Sequence, residues 1–169
     1  MTIEDKTLRK IPLFNGLKEE HFELLKRIIH IREFDEGDVV IREGETGEEI
    51  YILLDGEVEV SKSLVLKLPE LNFGQKEKSL IKLTSDTYPF FGEMVLFNDK
   101  AERTATVIAT KRCKFAIIYK NDFIKLTESN RDIGCVLYKN IAMVLAERLR
   151  KANNDILKLT TALTLVLSK

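Results

Sequence analysis

The apolar positions of this chain change rhythm as it is read from end to end. In residues 17–30, LKEEHFELLKRIIH, Leu17, Phe22, Leu24, Leu25, Ile28 and Ile29 recur at helical spacing. Acids come early and bases late, an order that complements the helix dipole, so the stretch predicts a short amphipathic helix. Just upstream, IPLFNG sets Leu13 and Phe14 between a proline and a glycine, an apolar plug in a turn. From Ile31 onward short β-rich runs take over, punctuated by Gly37, Gly44, Gly47 and Gly56. Asp55-Gly56, between YILL and EVEV, predicts a hairpin, because such residues accept positive φ at little cost. Further strands are predicted near 80–84, 104–110 and 113–119. Segment 64–79, LVLKLPELNFGQKEKS, fits either an extended hairpin or a loop. The helical rhythm returns in NDFIKLTES, a short helix with Asn121 or Asp122 at its cap, and a much longer helix begins near Asn130. Along that helix Leu149, Ala152, Ile156, Leu159, Leu163 and Val166 alternate spacings of 3 and 4, a seam that suits pairing with a twin helix. Regular short strands flanked by helices give an α+β fold, with the strands in an antiparallel sandwich or barrel.

Composition narrows the function classes. The 169 residues suit one domain, with 44% hydrophobic and 32% charged positions, so a packed core is expected rather than disorder. Lys plus Arg and Asp plus Glu both total 27, which argues against a general nucleic-acid or membrane binder. The N-terminus has no apolar signal region and no segment approaches a membrane span, so a cytoplasmic protein is expected. Cys113 and Cys135 sit among apolar residues and read as reduced core thiols. With only His21 and His30, no Ser-His-Asp set and no clustered ligands, neither catalysis nor a metal is expected.

One stretch resists a purely structural reading. In FFGEMVLFNDKAERTATV, residues 90–107, Glu93 and Arg103 lie inside a run that otherwise looks buried. An unpaired charge removed from water costs several kcal/mol, so each needs a partner. The residues leave the choice open: Glu93 with Arg103, Arg103 with neighbouring Glu102, or a ligand between them.

An N-terminal helix, a glycine-punctuated β-roll, the FGE motif, the R-T-A-T segment and a long C-terminal helix, in this order, resemble the cyclic nucleotide-binding domain family of the catabolite activator and cAMP-dependent kinase regulatory subunit type. The resemblance covers about residues 11–155. It implies a jelly-roll-like antiparallel β-roll of about eight strands over residues 1–130, with a short N-terminal helical segment, and a C-terminal helix over 131–169 that serves as lid and dimerisation element. It implies cAMP or cGMP as ligand, held by Phe91, Gly92, Glu93, Met94, Arg103, Thr104, Ala105 and Asn153. Gly92 and Glu93 would open a one-turn helix facing the cyclic phosphate; Glu93 would accept from the ribose 2′-OH. Arg103 would pair with the exocyclic phosphate oxygens, a role its planar fork of donors suits better than lysine would. Thr104 would add a hydroxyl, Ala105 a backbone N–H, and Asn153 would meet the base. The sequence departs from the family's usual glycine at Tyr88 and alanine at Val95, which would narrow the site, and from its usual proline at Glu102, which would compete for Arg103. No winged helix-turn-helix follows the long helix, so direct DNA binding is not expected. Output would pass to an effector protein or a dimer partner; the alternative is a vacant fold kept as a scaffold.

Overall fold

The computed structural model describes residues 3–64, 76–97 and 102–167. Helices α1 (Asp5–Leu8) and α2 (Glu19–Ile28) lead into β1 (Ile29–Phe34), β2 (Val39–Ile41), β3 (Glu49–Asp55), β4 (Glu57–Leu64), β5 (Lys76–Thr84), β6 (Phe90–Phe91), β7 (Thr106–Ala109) and β8 (Cys113–Tyr119). Helices α3 (Lys120–Ser129) and α4 (Arg131–Leu167) follow. The strands form two four-stranded antiparallel sheets, ordered β1-β8-β3-β6 and β2-β7-β4-β5. This is the expected α+β roll with flanking helices.

Alternation along β3 and β8 sets the layering. Ile50 and Ile52 of β3, with Ala116 and Ile118 of β8, pack against the helices, among Leu13, Phe14, Phe22, Leu25, Phe123, Leu137 and Ile141. Tyr51 and Leu53, with Phe115 and Ile117, turn the other way and fill the roll between the sheets with Val58, Phe91 and Val107. A sheet covered on both faces needs apolar residues at every position, which is why these strands read as the continuous runs IYILL and FAII rather than alternating. The plug behaves as anticipated: Leu13 and Phe14 are buried in a 3-10 turn, Pro12–Phe14.

Several sequence expectations need correction. Asp55-Gly56 is a turn but not a hairpin, because β3 and β4 lie in different sheets. Gly56, at φ 96°, carries the chain across from one to the other, and a Cβ there would lie 2.5 Å from the Arg112 carbonyl oxygen. The open question at 64–79 resolves at its ends as an extended hairpin, since β4 and β5 stay paired out to Leu64 and Lys76; residues 65–75 lie outside the described residues. Helix α3 starts at Lys120 with Tyr119 at its N-cap and no side-chain cap, because β8 runs directly into it. Of the thiols only Cys113 is in the core, where burial pushes it up; Cys135 is exposed on α4.

Helix α4 is packed on the domain through Ile133, Gly134, Leu137 and Ile141. Gly134 permits the contact with α3, as a Cβ there would lie 2.9 Å from the Thr127 carbonyl oxygen. Farther on, Leu149, Ile156, Leu159, Leu163 and Val166 are all exposed. Among the described residues no helix is long and apolar enough to cross a membrane, and no group of side chains could hold a metal.

Candidate functional site

A cavity of about 260 Å³ opens between the two sheets, and Phe91, Gly92, Glu93, Met94, Arg103, Thr104 and Ala105 all line it. The sequence motif therefore does converge in space. The remaining wall is aliphatic at Ile41, Val60, Ile81, Leu83, Val95 and Val107 and charged at Glu102 and Arg148. Asn153 lies elsewhere: it is exposed on α4, outside the lining.

The charged segment is built on two turns. The 3-10 turn Ser85–Thr87 ends at Tyr88, whose φ of 47° is left-handed, a conformation glycine adopts far more readily than tyrosine. This is the position at which the sequence departs from the family's glycine. Strand β6 follows, and then Gly92, at φ 82°, opens the one-turn 3-10 helix Glu93–Leu96. Val95 is buried there and lines the cavity, so it takes room from any occupant.

Glu93 and Arg103 are both buried, at 3% and 7% exposure. Both are paired, but not with each other. Arg148, from α4, donates through Nη1 to Glu93 Oε1 at 2.7 Å and through Nη2 to the Phe90 carbonyl, with its guanidinium 5.5 Å above the Phe90 ring. The second carboxylate oxygen of Glu93, Oε2, is buried without a hydrogen-bond partner. Arg103 pairs with Glu49 rather than with Glu102: Nη2 donates to Glu49 Oε2 at 2.7 Å and Nη1 to the Glu49 carbonyl at 2.9 Å. Glu102 is exposed and instead forms a β-bridge with Thr46, so its expected competition for Arg103 is not seen.

Two glycines fit around the Arg103 guanidinium. A Cβ on Gly47 would lie 2.4 Å from both Nε and Nη2, and one on Gly92 would lie 2.8 Å from Nη1. The Tyr51 ring lies 5.7 Å below, and burial, followed by the Glu49 carboxylate, pushes its phenol up. Gly47→Ala should therefore force the guanidinium to move, lowering the unfolding free energy by about 1–3 kcal/mol in urea denaturation. An unchanged midpoint would mean that Arg103 is not confined there.

Sequence reasoning missed Arg148 and Glu49. Arg148 carried a faint signal, being a charge placed on the face that Ile141 and Leu145 continue from the core. Glu49, the acid immediately before IYILL, carried none that distinguished it from Glu48.

Comparison with known proteins gives a consistent picture. The family model of the cyclic nucleotide-binding domain matches residues 31–130. A cyclic AMP receptor protein of Thermus thermophilus is 28% identical over 145 residues, covering 86% of this chain and 60% of its own length. A cAMP-dependent protein kinase regulatory subunit of Hypocrea atroviridis is 33% identical over 119 residues, 70% of this chain and 22% of that protein. The crystal structure of the Thermus thermophilus catabolite activator protein superposes with a TM-score of 0.72 at 26% identity, over 88% of this chain and 63% of the other. The chain thus spans less than two thirds of the length of each.

Proposed function

Because the chain belongs to the cyclic nucleotide-binding domain family, we propose that it is a non-catalytic sensor that takes cAMP or cGMP into the cavity between its sheets and passes occupancy to another protein. The observation that carries this reading is Glu93 Oε2, a buried carboxylate oxygen with no donor, in a cavity that Arg103 also lines. A buried acceptor left unsatisfied costs about 1–3 kcal/mol, and a ribose 2′-OH would supply the missing donor. Arg103 would face the cyclic phosphate, with Thr104 and the Ala105 N–H beside it, and the base would rest against the aliphatic wall.

Arg148 gives the site its output. It ties Glu93 to α4, so a ligand that hydrogen-bonds Glu93 changes the contact that holds the helix. Differential affinity for two placements of α4 would then set how far the population shifts. The exposed seam from Leu149 to Val166 supports a homodimer formed through the same helix, with an effector protein reading the change.

One observation favours a second reading, a vacant scaffold: both cavity guanidiniums already have carboxylate partners. Titration calorimetry with cAMP and cGMP separates the two. A saturable heat with at least one nucleotide is expected; no heat with either at high micromolar protein would establish the scaffold.

A further inference from the structure

The Glu49 carboxylate is held in a built position. Its Oε2 accepts from Arg103 Nη2 at 2.7 Å and from the Glu48 N–H at 3.0 Å. With the Glu49 carbonyl taking Nη1, the terminal edge of the guanidinium is fully engaged by one residue. The side edge, Nε with Nη2, is closed by Gly47, where even a Cβ would lie 2.4 Å from both nitrogens. Only 6% of the arginine side chain reaches solvent, while Glu49 keeps 28%. The cation at the phosphate seat is thus neutralised and enclosed, and the acid that neutralises it has an open route to water.

We infer that Glu49 is a resident counter-anion that competes with the ligand's phosphate for Arg103 and thereby sets the affinity of the site. This rests on the reading that the cavity takes a cyclic nucleotide. Two anions on one guanidinium repel, so phosphate binding is coupled to release of the Glu49 carboxylate toward solvent, leaving Arg103 Nη2 to a phosphate oxygen while Nη1 stays on the Glu49 carbonyl. Glu49 is a positioning and affinity-tuning residue, and its effect is confined to ligands that carry an anion. A merely structural role for Glu49 would affect charged and uncharged ligands alike.

The test is calorimetric titration of the full chain with cAMP, cGMP and the uncharged nucleosides adenosine and guanosine. Glu49→Gln keeps an acceptor for Arg103 and for the Glu48 N–H but removes the charge. It should tighten binding of the cyclic nucleotide at least about fivefold, the weaker end of a like-charge contact near a protein surface, and leave nucleoside binding unchanged. Glu49→Ala should change affinity in the same direction and serves if the glutamine still holds the arginine. If the wild type binds and both variants bind equally or more weakly, the inference is wrong and the sensor reading stands. Equal tightening for nucleoside and cyclic nucleotide also overturns it. If neither the wild type nor the variants bind any cyclic nucleotide, the sensor reading itself fails and the inference with it.

Discussion

Arg103→Ala should weaken cyclic nucleotide binding by about one to two orders of magnitude, the equivalent of the ~1.5–3 kcal/mol that a hydrogen bond to a charged group contributes. It should also cost stability, which an exposed arginine would not. The guanidinium is enclosed by Gly47, Gly92 and Tyr51 and bonded twice to Glu49. Breaking a fully buried pair costs about 3–5 kcal/mol. Here Glu49 keeps 28% of its side-chain surface in water and retains the Glu48 N–H, so a loss of about 1–2 kcal/mol is expected in chemical denaturation. Arg103→Lys sharpens the experiment. Lysine keeps the charge but lacks the planar fork, so it should recover more of the stability than of the affinity. A large loss of stability with affinity untouched would assign Arg103 to the fold alone.

Ending the chain at Ala152 should turn a dimer into a monomer in light scattering. The side chains removed include Ile156, Leu159, Leu163 and Val166, all exposed on α4, whereas Ile133, Leu137 and Ile141, which seat the helix on the domain, remain. Thermal unfolding of the remaining domain should therefore change little. Leu159→Asp in the full chain is the gentler form of the same test, since a carboxylate in the seam would be desolvated against its twin without shortening the helix. A dimer that survives both changes would put the interface on another surface.

How much of this could be read from the residues depended on how local the physics was. The helix at Glu19–Ile28, the strand Cys113–Tyr119 and the start of α4 follow from periodicity within a few turns, and they came out nearly where the pattern placed them. Gly92, Glu93, Arg103, Thr104 and Ala105 were also legible, because a family motif fixes them in order. Their partners were not. Glu49 and Arg148 reach the motif across 54 and 55 positions of sequence, and nothing in the spacing of one segment reports a contact with another so distant. The Asp55-Gly56 turn shows the converse limit. Its local chemistry was read correctly as positive φ, but the same backbone conformation serves a hairpin and a crossing between sheets, and only the pairing of β4 with β5 and β7 decides which. Asn153 was placed by carrying the helix alignment past Arg148, where the domain no longer covers α4.

Helix α4 is a single unbroken element of 37 residues, close to 55 Å at about 1.5 Å per residue. Arg148 clamps it near its midpoint, and Leu167 lies roughly 28 Å farther along. A rotation of about 10° at that fulcrum would swing the far end by about 5 Å, much more than the shift of a single hydrogen bond. The rod would then act as a lever: a change too small to reshape the cavity would still be amplified into a displacement large enough for another polypeptide to detect.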